Sequence, residues 1–212
     1  MGRPLRTHEA DLILHVTAHA IPDRLCFPDE TARILFLQHA LQLQGHEACR
    51  LHAYAMMDNH LHLLLAGTSD GAICRFLQQV LGRHVQLLNR MQGRRGPCWH
   101  GRYSFIPILD ESHLLNSHLY IEANPWRARL VEHPAESGWT SYGCKGLGRE
   151  EELLTPHEVL RHLGGSTEDW HSAYARLMDE YIRTAVRFKP PIRIPVCADP
   201  LAGLHVCMVK VE

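Results

Sequence analysis

Apolar and polar residues alternate over positions 11–20. Leu12, Leu14, Val16 and Ala18 fall on one side, and Ile13, His15, Thr17 and His19 fall on the other. A period of two predicts a strand with one face against a core. Pro22 and Pro28 then bracket a loop, and Asp29 is placed to cap a helix that runs to about residue 44 and stops at Gly45. Two further strands are predicted over 50–56 and 60–65, joined by a turn at Asp58-Asn59. The cleanest helical period follows, with Ile73, Phe76, Leu77, Val80, Leu81, Val85, Leu88 and Met91 on one stripe. A loop rich in arginine and glycine, 93–97, ends it.

Residues 103–109 read as a fourth strand. Asp110 caps a helix through Ala123 that Pro125 stops. Two more helices are expected, one opening at Thr155-Pro156 and one over about 167–186. Pro190, Pro191, Pro195 and Pro200 predict an irregular tail over 189–212. The order β-α-β-β-α-β-α predicts an α+β fold, an antiparallel sheet with helices on one face. The sheet and its helices occupy 1–145. A helical extension and the tail occupy 146–212.

Composition narrows the class. No run approaches the roughly 18 apolar residues of a membrane span, and Met1 to Arg6 do not read as a signal peptide. The seven cysteines are odd in number and include no C-x-x-C, which suits a reducing compartment. The expectation is a cytoplasmic protein that does not engage a membrane. The net charge of −1 conceals an asymmetry. Between Gly71 and Leu109 there is no Asp or Glu, while Arg75, Arg83, Arg90, Arg94, Arg95 and Arg102 all fall there. Such a block is a candidate polyanion site, or else a solvated helix face with a basic loop.

Two groups of residues carry candidate chemistry. His60 and His62 are separated by one residue on a strand, so both imidazoles share a face while Leu61, Leu63 and Leu65 turn to the core. That pair suits a metal, with coordination positions left to fill, but two hydrogen-bonded surface histidines give the same pattern. On the 110–123 helix, Tyr120 and Asn124 are i and i+4 neighbours on a face with His113, Asn116 and Ser117. A tyrosine hydroxyl becomes a nucleophile when a nearby cation stabilises the attacking oxygen. Asn124 can give the same ion a neutral oxygen ligand. Glu122 lies round the helix and is a weaker ligand, and a helix tyrosine is equally a packing residue.

The order of these segments says more than each alone. Ala55-Met-Met-Asp-Asn-His60-Leu-His62-Leu-Leu-Leu65 resembles the histidine–hydrophobic–histidine motif of single-tyrosine transposases. Cys98-Trp-His-Gly-Arg-Tyr103 follows, then Tyr120-Ile-Glu-Ala-Asn124-Pro-Trp-Arg-Ala-Arg-Leu-Val131 and Trp139-Thr-Ser-Tyr142. Together they resemble the REP-associated tyrosine transposases of bacteria, from about Asp11 to Tyr142. The resemblance implies a ferredoxin-like fold. It implies a divalent ion, Mg²⁺ or Mn²⁺, on His60 and His62 with Asn124 as third ligand. Tyr120 would attack a DNA phosphodiester, leaving a 5′-phosphotyrosine link and a free 3′-hydroxyl. The implied substrate is single-stranded or hairpin DNA with REP-like palindromes, handled by a monomer or homodimer. The arginine block would follow the phosphates, and Trp99, Tyr103 and Trp126 are candidates to stack on unpaired bases.

Two departures stand out. Asp58 precedes Asn59 where the family usually has proline, which alters the turn rather than the ligands. The tail after about Arg187 does not resemble the family's C-terminal end. Three alternatives remain open: a hairpin-binding protein of the same ancestry that does not cut, a zinc hydrolase drawing extra ligands from His15 and His19, and a relaxase or replication initiator with the same motif.

Overall fold

The computed structural model describes residues 8–164 and 169–185. Its frame is β1 (Ile13–His19), α1 (Glu30–His46), β2 (Cys49–Met57), β3 (His60–Gly67), α2 (Ala72–Met91) and β4 (Ser104–Pro107). The four strands form one antiparallel sheet in the order β2-β3-β1-β4, the ferredoxin-like arrangement. Six shorter helical pieces follow: α3 (Glu111–Glu122), α4 (Asn124–Arg127), a 3₁₀ turn (Pro134–Glu136), α5 (Tyr142–Lys145), α6 (Glu158–Arg161) and α7 (Trp170–Thr184).

The alternation along each strand sorts side chains onto two faces. Leu14, Val16 and Ala18 of β1 and Leu61, Leu63 and Leu65 of β3 meet Ile73, Phe76, Leu77 and Val80 of α2 and Phe36 and Ala40 of α1 in the main core. A bulge at His52 shifts the β2 register between Leu51 and Ala53. It lets Leu51 and Tyr54, three apart, both join that core. The crossover helices α1 and α2 cover this face as expected. The one-face expectation does not extend to α3, which packs through Leu114 and Ile121 against Ala53, Ala55 and Leu64 on the opposite face.

Local signals account for most helix ends. Asp29 Oδ1 accepts from the Ala32 N–H at 2.8 Å, and Asp110 Oδ1 accepts from the His113 N–H at 2.7 Å. Helix α1 runs past Gly45 to His46, and the chain reverses instead at Ala48, whose φ is 50°. Pro125 does not end the helical path. It sits in the first turn of α4, where a missing N–H costs nothing. The helix expected at Thr155-Pro156 begins two residues later, after His157, and lasts one turn. Asp169 caps α7 inside the span predicted for it. The expected irregular tail, 189–212, lies outside the described residues.

Segments after α3 cover the outer edge of β2. Met56 N–H donates to Trp139 O at 2.9 Å, Ser141 N–H to Tyr54 O at 3.1 Å, and Thr155 N–H to Leu51 O at 2.8 Å, leaving little of that edge unpaired. Helices α3, α4, α5, α6 and α7 share a second core of Leu119, Ala123, Trp126, Tyr142, Leu160, Tyr174 and Met178. At its centre the fully buried Lys145 ammonium donates to Glu122 Oε1 at 2.6 Å and to His118 Nδ1 at 2.8 Å. Tyr174 OH donates to Glu122 Oε2 at 2.6 Å, and Ser141 Oγ also donates to that carboxylate. This network pins α3 to α5 and α7.

Candidate active site

The sheet face away from α1 and α2 is lined by histidine. β1 and β3 run antiparallel with Thr17 opposite His62 and His19 opposite His60. Their alternation puts His15, Thr17, His60 and His62 on the surface that α3 flanks. The His60 and His62 rings are 5.0 Å apart, centroid to centroid, and the His15 and His62 rings 5.2 Å. Tyr120 reaches in from α3, its ring 5.9 Å from those of both His62 and His15. Asn124, one turn on, is hydrogen-bonded to the His60 side chain. Asn124 Nδ2 donates to the carbonyls of Tyr120 at 2.9 Å and Ile121 at 3.2 Å, so Oδ1 is the atom that meets His60 and the one that would serve as a ligand. The four residues singled out as nucleophile and ligands therefore converge from β3 and, far away in sequence, from α3 and the start of α4.

Burial keeps the imidazoles neutral. It holds His60 down at about 4, with His19 adding to the effect and the Asn124 hydrogen bond opposing it. His62 lies well below its ordinary range, first through burial and then through His15, His60 and His19. His15 is held at about 4 by burial and by His113. Neutral imidazole is the form that ligates a metal. Two such rings and an amide oxygen make a donor set that fits a divalent ion of the manganese type, with positions left for water or phosphate oxygens. Among the described residues no group of three or more His, Cys, Asp or Glu side chains is placed to hold a metal ion. The zinc-hydrolase alternative needs such a group. His15, offered as its extra ligand, is instead hydrogen-bonded to His62, 2.9 Å from Nε2 to Nδ1.

Several expected contacts are not brought to this face. Arg75, Arg83 and Arg90 lie on α2, across the sheet from the histidines, and the Arg75 guanidinium is tied to Glu47 at 3.0 Å. Arg94, Arg95 and Arg102 sit in or near the loop after α2. That loop joins the end of β1 through His100 N–H to His19 O, 2.8 Å, and Ile21 N–H to Cys98 O, 2.8 Å. Trp126 is buried in the second core, and Trp99 packs on Phe27 and His84 while donating Nε1–H to Leu81 O at 3.2 Å. The Trp126 indole fills a core site and is not presented for base stacking, whereas Trp99 is half-buried at the rim of the main core. Tyr103 places its hydroxyl 3.3 Å from Cys74 Sγ. Glu122 is committed to Lys145 and is no ligand.

The structure adds two residues to the site. Arg127 lies with its guanidinium carbon 5.2 Å from the centre of the Tyr120 ring, a cation–π distance, and is hydrogen-bonded to Tyr181 of α7. Its spacing of seven from Tyr120, two helical turns, was the available signal. Asn59 Oδ1 lies 2.7 Å from His60 Nδ1, a contact hidden behind its role as a turn residue. The turn departs from a proline-led one without loss of order: Asp58 O accepts from Cys26 and Phe27 N–H at 2.8 and 3.0 Å, Asn59 O accepts from Ala20 N–H at 2.8 Å, and Arg33 pairs with the Asp58 carboxylate.

No protein-family model and no curated protein matches the chain. Among solved structures, the fold is similar to that of a REP-associated tyrosine transposase bound to a REP hairpin. That match has a TM-score of 0.56 at 12% identity and covers 74% of this chain and 93% of that one. At this identity the likeness is one of fold. No helix among the described residues is long and apolar enough to cross a membrane.

Proposed function

We propose that this protein cleaves and rejoins single-stranded or hairpin DNA by transesterification, with Tyr120 as nucleophile and a divalent cation held by His60, His62 and Asn124. The observation that carries the reading is the convergence of a tyrosine hydroxyl-bearing ring, two neutral imidazoles and an amide oxygen on one sheet face. The shared fold with a hairpin-bound transposase supports it. In the forward step the Tyr120 phenol oxygen bonds to phosphorus while the bond from phosphorus to the 3′ oxygen breaks, and the departing 3′-hydroxyl ends with the proton that the phenol gave up. One phosphorus–oxygen bond replaces another, so no ATP is consumed, and attack by a different 3′-hydroxyl on the phosphotyrosine rejoins strands. A bound cation contributes Lewis-acid stabilisation of charge on the phosphoryl oxygens. Mn²⁺ is expected to bind more tightly than Mg²⁺, because imidazole suits it better. Arg127 sets positive charge beside the nucleophile.

The test is incubation with end-labelled single-stranded hairpins and Mn²⁺, followed by a search for a denaturant-resistant protein–DNA adduct. The adduct is expected in wild type, absent in Tyr120→Phe, and absent in the pair His60→Ala with His62→Ala. Equal cleavage by wild type and Tyr120→Phe would overturn the tyrosine mechanism. Hairpin binding without any cleavage would identify a binding module, and cleavage without an adduct a hydrolase.

A further inference from the structure

Arg127 is a cation beside the proposed nucleophile, and its partners are neutral. Its guanidinium carbon lies over the Tyr120 ring, 5.2 Å from the centre. Helices α3 and α4 run on from one another, with Ala123 N–H donating to Leu119 O at 2.9 Å and Arg127 N–H to Ala123 O at 2.8 Å. Residues 120 and 127, two turns apart, therefore stand on one face. The second partner is Tyr181 of α7. Arginine has only donors, so in this hydrogen bond the guanidinium donates to the Tyr181 hydroxyl oxygen. Among the described residues no carboxylate pairs with Arg127. A half-buried guanidinium with neutral partners keeps its charge for an anion, and one hydrogen bond leaves most of its N–H donors unused. The support on the α7 side is itself fixed. Tyr174 and Met178 are buried in the second core and Tyr181 packs on it, all on one face of α7 by their spacing of four and three. Tyr174 OH donates to Glu122 Oε2 at 2.6 Å, and Asp179 Oδ1 lies 3.0 Å from His133 Nε2.

We infer that Tyr181 is a positioning residue for strand cleavage: it holds the Arg127 guanidinium against the Tyr120 ring, where the remaining N–H donors meet the phosphoryl oxygens that Tyr120 takes on. The inference rests on the proposed transesterification for its purpose, but not for its geometry. Attack by the phenol gathers negative charge on those oxygens, and a cation placed in advance stabilises charge where it develops. An arginine side chain is rich in rotamers, so holding one in place before DNA arrives removes an ordering cost from the binding step. The two tyrosines divide that task. The ring face of Tyr120 orients the guanidinium plane, and the Tyr181 hydroxyl fixes its direction within that plane. On this reading α7, which lies outside the sheet that carries His60 and His62, contributes to the reaction as well as to the second core. The hydroxyl of Tyr181 acts through Arg127, whereas its ring serves packing, so removing the hydroxyl alone separates the two roles.

The test follows adduct formation in a single turnover, with saturating labelled hairpin and Mn²⁺. Tyr181→Phe should slow it about 10-fold, the worth of a hydrogen bond to a charged group, while hairpin affinity stays within about twofold of wild type. Arg127→Gln should slow it about 100-fold. Arg127→Lys should lose less, because the ammonium keeps the charge without the planar fork. In the Arg127→Gln background, Tyr181→Phe should add little further loss. Tyr54→Phe is the control: it loses a hydroxyl bonded to Glu151 at 2.8 Å, from a side chain in the main core across the sheet, and should react like wild type. A second readout needs neither DNA nor metal. In ¹H–¹⁵N spectra of the arginine side chains, the Tyr120 ring current should carry the Arg127 Nε–H upfield of the exposed arginines, and Tyr181→Phe should return it toward them. An Arg127 resonance unmoved by Tyr181→Phe would overturn the inference. So would a wild-type adduct rate in Tyr181→Phe, or an equal loss with and without Arg127. A wild-type protein that forms no adduct overturns the proposed function and the catalytic purpose with it, while the arginine resonance still decides whether Tyr181 holds Arg127.

Discussion

Replacing Lys145 with methionine removes the cation paired with a carboxylate that has no exposure to water. Glu122 and Lys145 are both fully buried, 2.6 Å apart, and α3, which bears Tyr120, is anchored through them to α5 and α7. Burial pulls the Lys145 ammonium below its ordinary range, and the neighbouring Glu122 opposes that pull. Breaking a buried pair from one side costs about 3–5 kcal/mol, because the remaining charge keeps its desolvation penalty without a partner. For a chain of this size each kcal/mol moves the melting temperature by roughly 2–4 °C, so Lys145→Met should melt on the order of 10 °C below wild type. The assay is urea and thermal unfolding of wild type, Lys145→Met, Glu122→Gln and the double variant. The double variant should recover most of the loss, since a neutral side chain at 122 carries no unpaired charge and keeps an acceptor for Tyr174 OH. A single-variant cost below about 1 kcal/mol, or a double variant no better than Lys145→Met, would refute this reasoning.

Three further outcomes are expected. His84 is buried with its pKa at about 4, chiefly through burial, while its Nε2 lies 2.6 Å from Cys26 O. In the unfolded chain it titrates near 6.5, so its contribution is complete above about pH 6.5 and is lost as the pH falls toward 4. Between pH 7.5 and 5.5 that loss is roughly 1 kcal/mol. His84→Leu should flatten the pH dependence of the urea midpoint by that amount, and an unchanged slope would contradict it. Ala48 closes α1 at a φ of 50°, so Ala48→Gly should stabilise by about 0.5–1 kcal/mol in the same unfolding assay. If the DNA follows the histidine face, Arg83→Ala and Arg90→Ala should leave the slope of log affinity against log salt nearly unchanged. Arg95→Ala, in the loop tied to the end of β1, should reduce it by up to about one; equal slopes for all three would place the DNA elsewhere.

Much of the fold was legible because its local rules and its tertiary structure agree. Alternation over 11–20 and 60–65 placed Leu14, Val16, Leu61 and Leu63 in the core and the histidines on the other face. Asp29 and Asp110 cap the helices they were expected to cap. The His60–His62 pair and the Tyr120–Asn124 pair were each visible, since a strand period of two and a helix turn of four are local quantities. What made them one site was not. Their meeting needs β3 beside β1 in a register that sets Thr17 against His62, and α3 folded over the face that α1 and α2 leave bare. The arginine block shows the converse. Its members are neighbours in sequence, but a helix and the loop after it diverge in space, so Arg83 and Arg90 face away from the histidines. The Lys145–Glu122 pair and the His15–His62 contact join residues 23 and 47 positions apart. The sequence by itself determined which faces were apolar and which side chains carried chemistry, because backbone periodicity decides those. The tertiary structure alone decided which of those side chains touch, because that depends on sheet order, register and helix placement, which long-range packing selects.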